Sequence, residues 1–275
     1  MSPASSSART VWSALRTAGD ALASVVIPAP CRICAALLDT ASRIPVCANC
    51  LETFRPLQPP LCLCCGHPFI SPLAAQAREP LCRLCRAQTF GFDAARSFAL
   101  YQGSLVRSIL LLKHSGVAPL GRWFAGRLEE LIAADPGLFE ADAVVPVPLY
   151  PRRRRERGYN QAELIAKPLA KVLGLPLRAS WLARTRPRPD VLRMSRAQRW
   201  KSVRGAYSMH RGVRVDKARI LLVDDVMTTG ATLDACSRVL RRAGAARVVA
   251  LTVARSVPHW APADAPPVPP GVNQI

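Results

Sequence analysis

A segment between an apolar run and a predicted helix carries the most specific chemistry in this sequence. Residues 220–223 are apolar and lead into two consecutive carboxylates, Asp224 and Asp225. A loop of small and hydroxyl residues follows, up to the start of a helix predicted for residues 232–242. The members of this loop and of the helix start are Thr228, Thr229, Gly230, Ala231 and Thr232.

These residue types suit one class of ligand. Backbone N–H groups at a helix N-terminus bind phosphate, and threonine hydroxyl groups add further donors. Gly230 has no side chain to obstruct the approach of the ligand. Two adjacent carboxylates accept hydrogen bonds from the vicinal hydroxyl groups of a ribose. The combination predicts a site for a ribose 5-phosphate at residues 224–232.

Other motifs of this general kind do not match the segment. It contains neither the G-x-x-x-x-G-K-[ST] of a P-loop nor the G-x-G-x-x-G of a dinucleotide fold. A phosphorelay receiver domain also begins with a strand ending in Asp-Asp, but it needs a later acceptor aspartate and a lysine. Only 50 residues follow Asp225, and none of them is a lysine. A purely structural acid pair is the remaining alternative.

The cysteines predict a second kind of site. Ten cysteines are too many for a cytosolic chain unless they bind metal or do redox work. Two C-x-x-C pairs make one tetrahedral thiolate site, because the short turn lets both sulfurs reach one ion. The spacing therefore predicts two structural Zn²⁺ ions in a double zinc ribbon, with the pairs taken in sequence or interleaved. The four pairs are Cys31/Cys34, Cys47/Cys50, Cys62/Cys65 and Cys82/Cys85.

Some cysteine assignments have alternatives. A thioredoxin-type C-x-x-C needs one such motif at the start of a helix, and four copies between proline-rich loops argue against it. Cys64 adds a third thiol between Cys62 and Cys65, and His67 could replace a cysteine as a ligand. Cys236 falls within a predicted helix, where we expect it to pack as a small apolar residue.

Downstream of the cysteines, strands alternate with helices. This alternation predicts an α/β fold with a parallel sheet covered by helices on both faces. Ligands of such sheets bind at the carboxyl ends of the strands, which is where Asp224 is placed. The predicted strands are residues 96–101, 142–147, 220–223 and 247–253, and the predicted helices are 104–113, 121–133, 160–173 and 232–242.

The positive charge is concentrated in one part of the chain. The net charge is +20, and residues 151–219 alone hold 20 Lys or Arg against four acidic residues, a surplus of 16. Such a block favours a polyanionic partner over a merely solvated face. Arg157 and its neighbours at 152–155 lie in a predicted loop on the same edge of the sheet as Asp224. One diphosphate carries only a few charges, so a second polyanion is expected.

The order of these motifs resembles that of the ComF family, in which a cysteine-rich zinc segment precedes a type I phosphoribosyltransferase-like domain. The resemblance covers roughly residues 25–255. It implies a segment at 1–24, a double zinc ribbon at 25–92, the transferase-like domain at 93–257 and a proline-rich disordered tail at 258–275. The residues that carry it are the four C-x-x-C pairs, Leu112-Lys113, residues 145–149, 151–153 and 157–161, and the loop at 224–232.

The resemblance also implies a ligand and a role. The ligand is 5-phosphoribosyl 1-diphosphate (PRPP), with Mg²⁺ as a companion ion, held by the residues of 224–232 named above and by Arg157. The role is natural transformation, with single-stranded DNA, a competence helicase and a DNA-loading protein as partners. Val191 and Ser202 replace a Gln and an Asn that the family pattern leads us to expect, which puts catalysis in doubt.

Two expectations complete the analysis. The apolar stretch at 21–30 is shorter than the roughly 20 residues that span a bilayer, so we expect a cytoplasmic protein that is not integral to a membrane. The alternative function is an active phosphoribosyltransferase of nucleotide or cofactor salvage. Such an enzyme needs a base-binding segment after the final strand, and the proline-rich residues 258–275 do not resemble one. We therefore favour binding over salvage.

Overall fold

A computed structural model describes residues 29–38, 43–69, 79–187 and 194–257. The predictions for residues 1–24, for Val191 and for the tail at 258–275 lie outside these ranges. The described residues fall into two compact units, divided between Phe54 and Arg55. The second cysteine group therefore belongs to the same unit as the sheet.

The first unit is small and depends on its cysteines. Its described residues form the helix α1 (Ala48–Glu52) and an isolated antiparallel bridge between Pro30 and Leu37. The backbone N–H of Cys31 donates to the carbonyl of Ala36 at 2.7 Å, which closes the turn that carries the first cysteine pair.

The second unit contains the other elements, including the four strands and four helices that the sequence predicts. Among the described residues these are α2 (Arg83–Ala87), β1 (Ala94–Leu100), α3 (Gly103–His114), α4 (Ala118–Ala134), β2 (Ala143–Pro146), α5 (Pro151–Arg157), α6 (Gln161–Val172), β3 (Leu182–Arg184), α7 (Arg196–Val203), β4 (Tyr207–Met209), β5 (Arg219–Met227), α8 (Ala231–Arg242) and β6 (Arg247–Arg255).

Four of the strands form a parallel sheet in the order β1-β6-β5-β2. β3 and β4 form a separate antiparallel pair. The two central strands are buried along almost their whole length, which is why they read as continuous runs of Val, Leu and Ile. The predicted α/β class is confirmed.

Helices α4 and α6 pack against each other and against the sheet, and their contact depends on one glycine. A Cβ atom at Gly121 would lie 2.5 Å from the carbonyl oxygen of Leu164, so only glycine permits this approach. On α8, the apolar residues Leu233, Cys236 and Leu240 join the buried cluster that contains Ile220 and Leu222 of β5. Cys236 thus packs as a small apolar residue, as predicted.

Two local predictions are wrong. The strand predicted for 220–223 runs on to Met227, so both carboxylates lie within β5 and not in a loop after it. The arginine-rich segment predicted as a loop is helix α5. Pro151 sets the helical φ angle at its start, and Gly158, with φ of 81°, ends it in a left-handed conformation.

Candidate functional site

The two adjacent carboxylates lie where the central strand β5 extends beyond the end of its neighbour β2. β2 ends at Pro146, which pairs with Val223, so β5 continues from Asp224 with only β6 beside it. Asp224 is 8% exposed and Asp225 is 4% exposed. Oδ1 of Asp224 accepts a hydrogen bond from the backbone N–H of Asp225 at 2.9 Å. The edge of the sheet thus presents two buried carboxylates.

A lysine from another element balances one of them. Lys113, near the C-terminal end of α3, forms an ion pair with Oδ2 of Asp225. The backbone N–H of Tyr101, just after β1, donates to the carbonyl of Arg255 at 2.8 Å. Burial raises the pKa of the Tyr101 hydroxyl. The residues that follow β1, β5 and β6 therefore meet at one edge of the sheet, as the rule for parallel sheets predicts.

Asp224 has a buried carboxyl group beside a second negative charge. Burial, and next the negative charge of Asp225, raise the pKa of its carboxyl well above the usual value. An acid with a raised pKa binds its proton more tightly in the folded chain than in the unfolded chain. Its contribution to stability therefore falls as the pH rises from the unfolded pKa through the folded pKa. The fold keeps this carboxylate at a cost, which points to a function.

Asp224→Asn should therefore raise the melting temperature at pH 8 by a few degrees, because the amide keeps the Oδ1 acceptor and removes the buried charge. The gain should shrink towards pH 3, below the unfolded pKa of about 3.9. Asp142→Asn is the control, and it should lower the melting temperature at neutral pH. Hydrogen bonds from Arg219 lower the pKa of Asp142 to about 2, so its contribution is present at neutral pH. Thermal unfolding across pH checks both, and equal shifts would contradict the assignment.

The loop after β5 has the backbone shape of an anion site. Gly230 precedes α8 as its N-cap residue and has a φ of 81°, which side chains rarely adopt. The backbone N–H of Ala231 donates to Oγ1 of Thr229 at 3.4 Å. α8 has 12 residues, so its dipole and the backbone N–H groups of its first turn favour a negatively charged ligand at this end.

Arg157 lies near this edge, at the end of α5. Its Nη1 donates to Oε1 of Gln161 at 2.5 Å. Burial, followed by the charges of Arg157 and Lys113, lowers the pKa of His114. The ends of α3 and α5 thus bring positive charge together beside Asp225. The preceding arginines of α5 are exposed, with 77%, 66% and 59% of the side chain accessible for Arg152, Arg153 and Arg154.

The aromatic residues of the basic block are part of the fold. Tyr207 is 6% exposed and its hydroxyl accepts from Nη1 of Arg184 at 2.7 Å. The hydroxyl of Tyr159 donates to the carbonyl of Leu112 at 2.8 Å. Trp181 and Trp200 are partly buried against the core, and Trp200 packs on Phe90 at 5.7 Å. These contacts show that the four rings contribute to the packing of the fold.

The cysteines form two groups of four, taken in sequence. Within each group the ligand atoms all lie within 4.8 Å of one another. A tetrahedral site with metal–sulfur distances of about 2.3 Å places its sulfurs about 3.8 Å apart. The structure has 3.9 Å for Cys31 and Cys50, and 3.6 Å for Cys65 and Cys82. Both groups therefore fit zinc, and the first contains Cys31, Cys34, Cys47 and Cys50, the second Cys62, Cys65, Cys82 and Cys85.

Cys64 lies outside the second group, and its backbone serves the sheet. Its carbonyl accepts from the backbone N–H of Ala95 in β1 at 2.7 Å. A Cβ atom at Gly66 would lie 2.6 Å from the carbonyl oxygen of Ala95. Nη1 of Arg96 donates to the carbonyl of Leu63 at 3.0 Å. The second cysteine group is thus held directly against the edge strand.

Comparisons with known proteins identify a matching domain and several similar chains. Residues 160–268 match the phosphoribosyl transferase domain. The chain is 28% identical over 236 residues to the DNA utilization protein YhgH of Salmonella typhimurium, covering 85% of this chain and 100% of that protein. It is 34% identical over 120 residues to competence protein F of Haemophilus influenzae, covering 42% of this chain and 51% of that protein. It is 25% identical to competence protein ComFC of Bacillus subtilis, covering 77% and 84%.

The resemblance to the ComF family is confirmed. The parallel sheet, its flanking helices and the matched domain also confirm the transferase-like fold. In this ComF-like chain the loop at 224–232 and helix α8 both fall inside the matched range. Among the described residues, no helix has the length and apolar composition that a membrane crossing requires.

The structure adds a cavity and one functional candidate, Arg255, that the sequence did not indicate. A cavity of about 420 Å³ adjoins Thr228 and Thr229, and it is also lined by Arg199 of α7 and by Arg255 at the end of β6. Arg255 has an apolar context in the sequence and no motif around it, so no pattern singles it out. Lys113 formed part of the family pattern, but only the fold shows that it pairs with Asp225.

Proposed function

We propose that this chain binds PRPP, or a closely related ribose phosphate, at residues 224–232 and works with single-stranded DNA in DNA uptake. The observation that carries the proposal is the juxtaposition of Asp224 and Asp225 with the loop that begins α8. The carboxylates can accept from the ribose hydroxyl groups, and the loop can donate to the 5-phosphate. Arg157 and Lys113 would balance the charge of the diphosphate.

Mg²⁺ would accompany the diphosphate in this proposal. Hard oxygen ligands suit Mg²⁺, which usually binds through one or two carboxylates and the phosphates of the substrate. Asp224 and Asp225 are the carboxylates of the site. The two cysteine groups would each hold a structural Zn²⁺ ion, because four thiolates close the coordination sphere and leave no position for catalysis.

The role in DNA uptake rests on the relatives and on charge. The similar proteins carry the names DNA utilization protein and competence protein, and a competence helicase and a DNA-loading protein are the partners we propose. The exposed arginines of α5 offer phosphate contacts beside the ribose-phosphate site. We place this work in the cytoplasm, where thiols remain reduced and available to zinc.

Isothermal titration with PRPP and Mg²⁺ tests the ribose-phosphate site. The double variant Asp224→Asn with Asp225→Asn should reduce affinity at least about 100-fold, because it removes both charged acceptors. Thr229→Val should weaken binding about 10-fold by removing one hydroxyl donor. Neutral Asn side chains keep the shape of the site, which the buried position of both residues requires.

Asp142→Asn is the matched control, since Asp142 precedes β2 at the opposite end of the sheet. It should bind PRPP as the parent does. Tight PRPP binding by the double variant would contradict the proposed site. Release of pyrophosphate on incubation with candidate bases would instead favour the alternative, a working transferase of nucleotide or cofactor salvage.

A further inference from the structure

The cavity beside the phosphate loop is built from several elements of the second unit. The loop contributes Thr228 and Thr229, the end of β6 contributes Arg255, α7 contributes Arg199, and α2 contributes Arg83 and Leu84. Its volume of about 420 Å³ falls within the range of small-molecule sites in proteins. α2 begins directly after Cys82, so the second cysteine group forms one wall.

Arg255 is a buried charged residue that lines this cavity. It is 4% exposed, and its Nη2 donates to Sγ of Cys65 at 3.5 Å. Its Nε and Nη1 have no hydrogen-bond partner among the described residues. A buried charged donor that lacks a hydrogen-bond partner destabilises the fold. Arg255 therefore lines the cavity with a buried guanidinium that lacks two hydrogen bonds, and an oxyanion in the cavity would lie next to this positive charge.

Arg199 repeats this pattern from another element. Its Nε is also buried without a hydrogen-bond partner among the described residues. Arg83 adds a third, exposed guanidinium to the same cavity. Leu84 and Met194 contribute apolar surface beside the three charges. A ligand that satisfies both kinds of surface combines an oxyanion with an apolar or aromatic body.

We propose that this cavity is a second ligand site, which binds a nucleoside 5′-phosphate with its phosphate group on Arg255 and Arg199. The base would lie against Leu84 and Met194. The ligand is either a free nucleotide or the 5′-phosphorylated end of a single strand, because both present the same chemical group. The inference deepens the proposed function by placing a nucleotide next to the ribose-phosphate loop.

Isothermal titration of the full chain distinguishes the possible ligands. Thymidine 5′-phosphate should bind at least about 10-fold more tightly than thymidine, since only the nucleotide meets the arginines. Oligo(dT) of ten residues is titrated with and without a 5′-phosphate to identify the strand end as the source. The site binds strand ends if the 5′-phosphate raises the affinity of the oligonucleotide by a larger factor than it raises the affinity of thymidine. No preference there assigns it to free nucleotides.

Arg255→Met and Arg199→Met test the residues. Each should reduce the affinity for thymidine 5′-phosphate about 10- to 100-fold and leave the affinity for thymidine unchanged. Arg247→Met is the matched control, because Arg247 begins the same strand and donates to the carbonyl of Gly137 at its other end. Zinc content is measured for Arg255→Met, which loses the hydrogen bond to Cys65, whereas Arg199→Met keeps that bond.

Equal affinity of the parent for thymidine and its 5′-phosphate would overturn the proposal. So would retention of the parent affinity in both arginine variants. PRPP titrations of the same proteins separate this inference from the proposed function. A parent that binds the nucleotide through Arg255 but ignores PRPP would refute the ribose-phosphate site alone, and the reverse result would refute the nucleotide site alone.

Discussion

Cys82→Ser should unfold the second unit at temperatures where the parent is folded, and it should remove one of two zinc ions. Binding of structural zinc contributes on the order of 10 kcal/mol, which is comparable to the whole stability of a domain. Cys82 lies 3.6 Å from Cys65 and 3.5 Å from Cys85, so it is central to the second group. Mass spectrometry of the native protein and thermal unfolding measure the two effects.

The size of this effect follows from where the second group is attached. Its turn hydrogen-bonds to β1 through the carbonyl of Cys64 and the backbone of Ala95. Arg96 of β1 also donates to the carbonyl of Leu63, and Arg255 of β6 donates to Cys65. Loss of zinc would therefore release the edge strand of the sheet and one wall of the cavity. Cys47→Ser, in the first unit, should remove one zinc ion with a smaller effect on the melting of the sheet.

Cys64→Ser is the sharpest control, since it lies between two members of the group and outside the set of four. It should keep both zinc ions and most of the stability. If Cys64→Ser loses zinc as Cys82→Ser does, the assignment of the ligands is wrong. A protein with intact disulfides and no zinc would contradict the zinc proposal for both groups.

The sequence predicted the elements of this fold well because two separate signals agreed. Continuous apolar runs marked the central strands, and glycine or proline marked the ends of the helices that follow them. The predicted end of β5 was wrong because two consecutive aspartates are typical of loops. In the fold, the ladder to β6 continues past them, from the pair Asp224 and Thr252 to the pair Met227 and Arg255. Pairing with a neighbouring strand overrides the local preference.

Other features depend on distant contacts that no local pattern records. Gly121 is required because of the carbonyl of Leu164, which lies 43 positions further along the chain. The charge of Lys113 matters because the fold brings it to Asp225. The cavity combines α2, α7 and the ends of β5 and β6, so its arginines looked like ordinary members of a basic chain.

The structure separates the basic residues at 151–219 into buried and exposed side chains, which the sequence did not distinguish. In the sequence, the basic residues at 152–157 and 184–204 predict a single surface for single-stranded DNA. Arg184 is 7% exposed, and it donates to Tyr207 and, at 3.0 Å, to the carbonyl of Arg186. Arg184 therefore supports the fold, and the exposed arginines of α5 carry the prediction for DNA. We expect contacts between these arginines and the phosphates to supply much of the affinity.

Single-stranded DNA should bind this chain with a strong dependence on salt. On a single strand, log affinity falls with log salt at a slope of about −0.7 for each phosphate neutralised. A strand held through about six phosphates would lose roughly 300-fold in affinity between 50 and 200 mM salt. Fluorescence anisotropy with labelled oligo(dT) over a salt series measures the slope directly.

Reversal of Arg153 and Arg154 to Glu should weaken that binding and make the slope less steep by about 1.4, which is the share of two phosphates. Both side chains are more than half exposed on α5, and their partners Glu156 and Glu163 are surface acids, so the change should leave the fold intact.

Arg211 and Arg214 provide the matched control within the same basic block. They are exposed, and the neighbouring Val215 bonds to Ala243 at the far end of α8, away from the ribose-phosphate loop. Their reversal to Glu changes the net charge by the same amount but should lower the affinity far less and keep the slope. If the two pairs behave alike, net charge alone attracts DNA.

A flat salt series for the zinc-loaded parent would assign the α5 arginines to the diphosphate or to a protein partner. PRPP should compete with oligo(dT) at low salt, because the two proposed sites share the arginines at the end of α5.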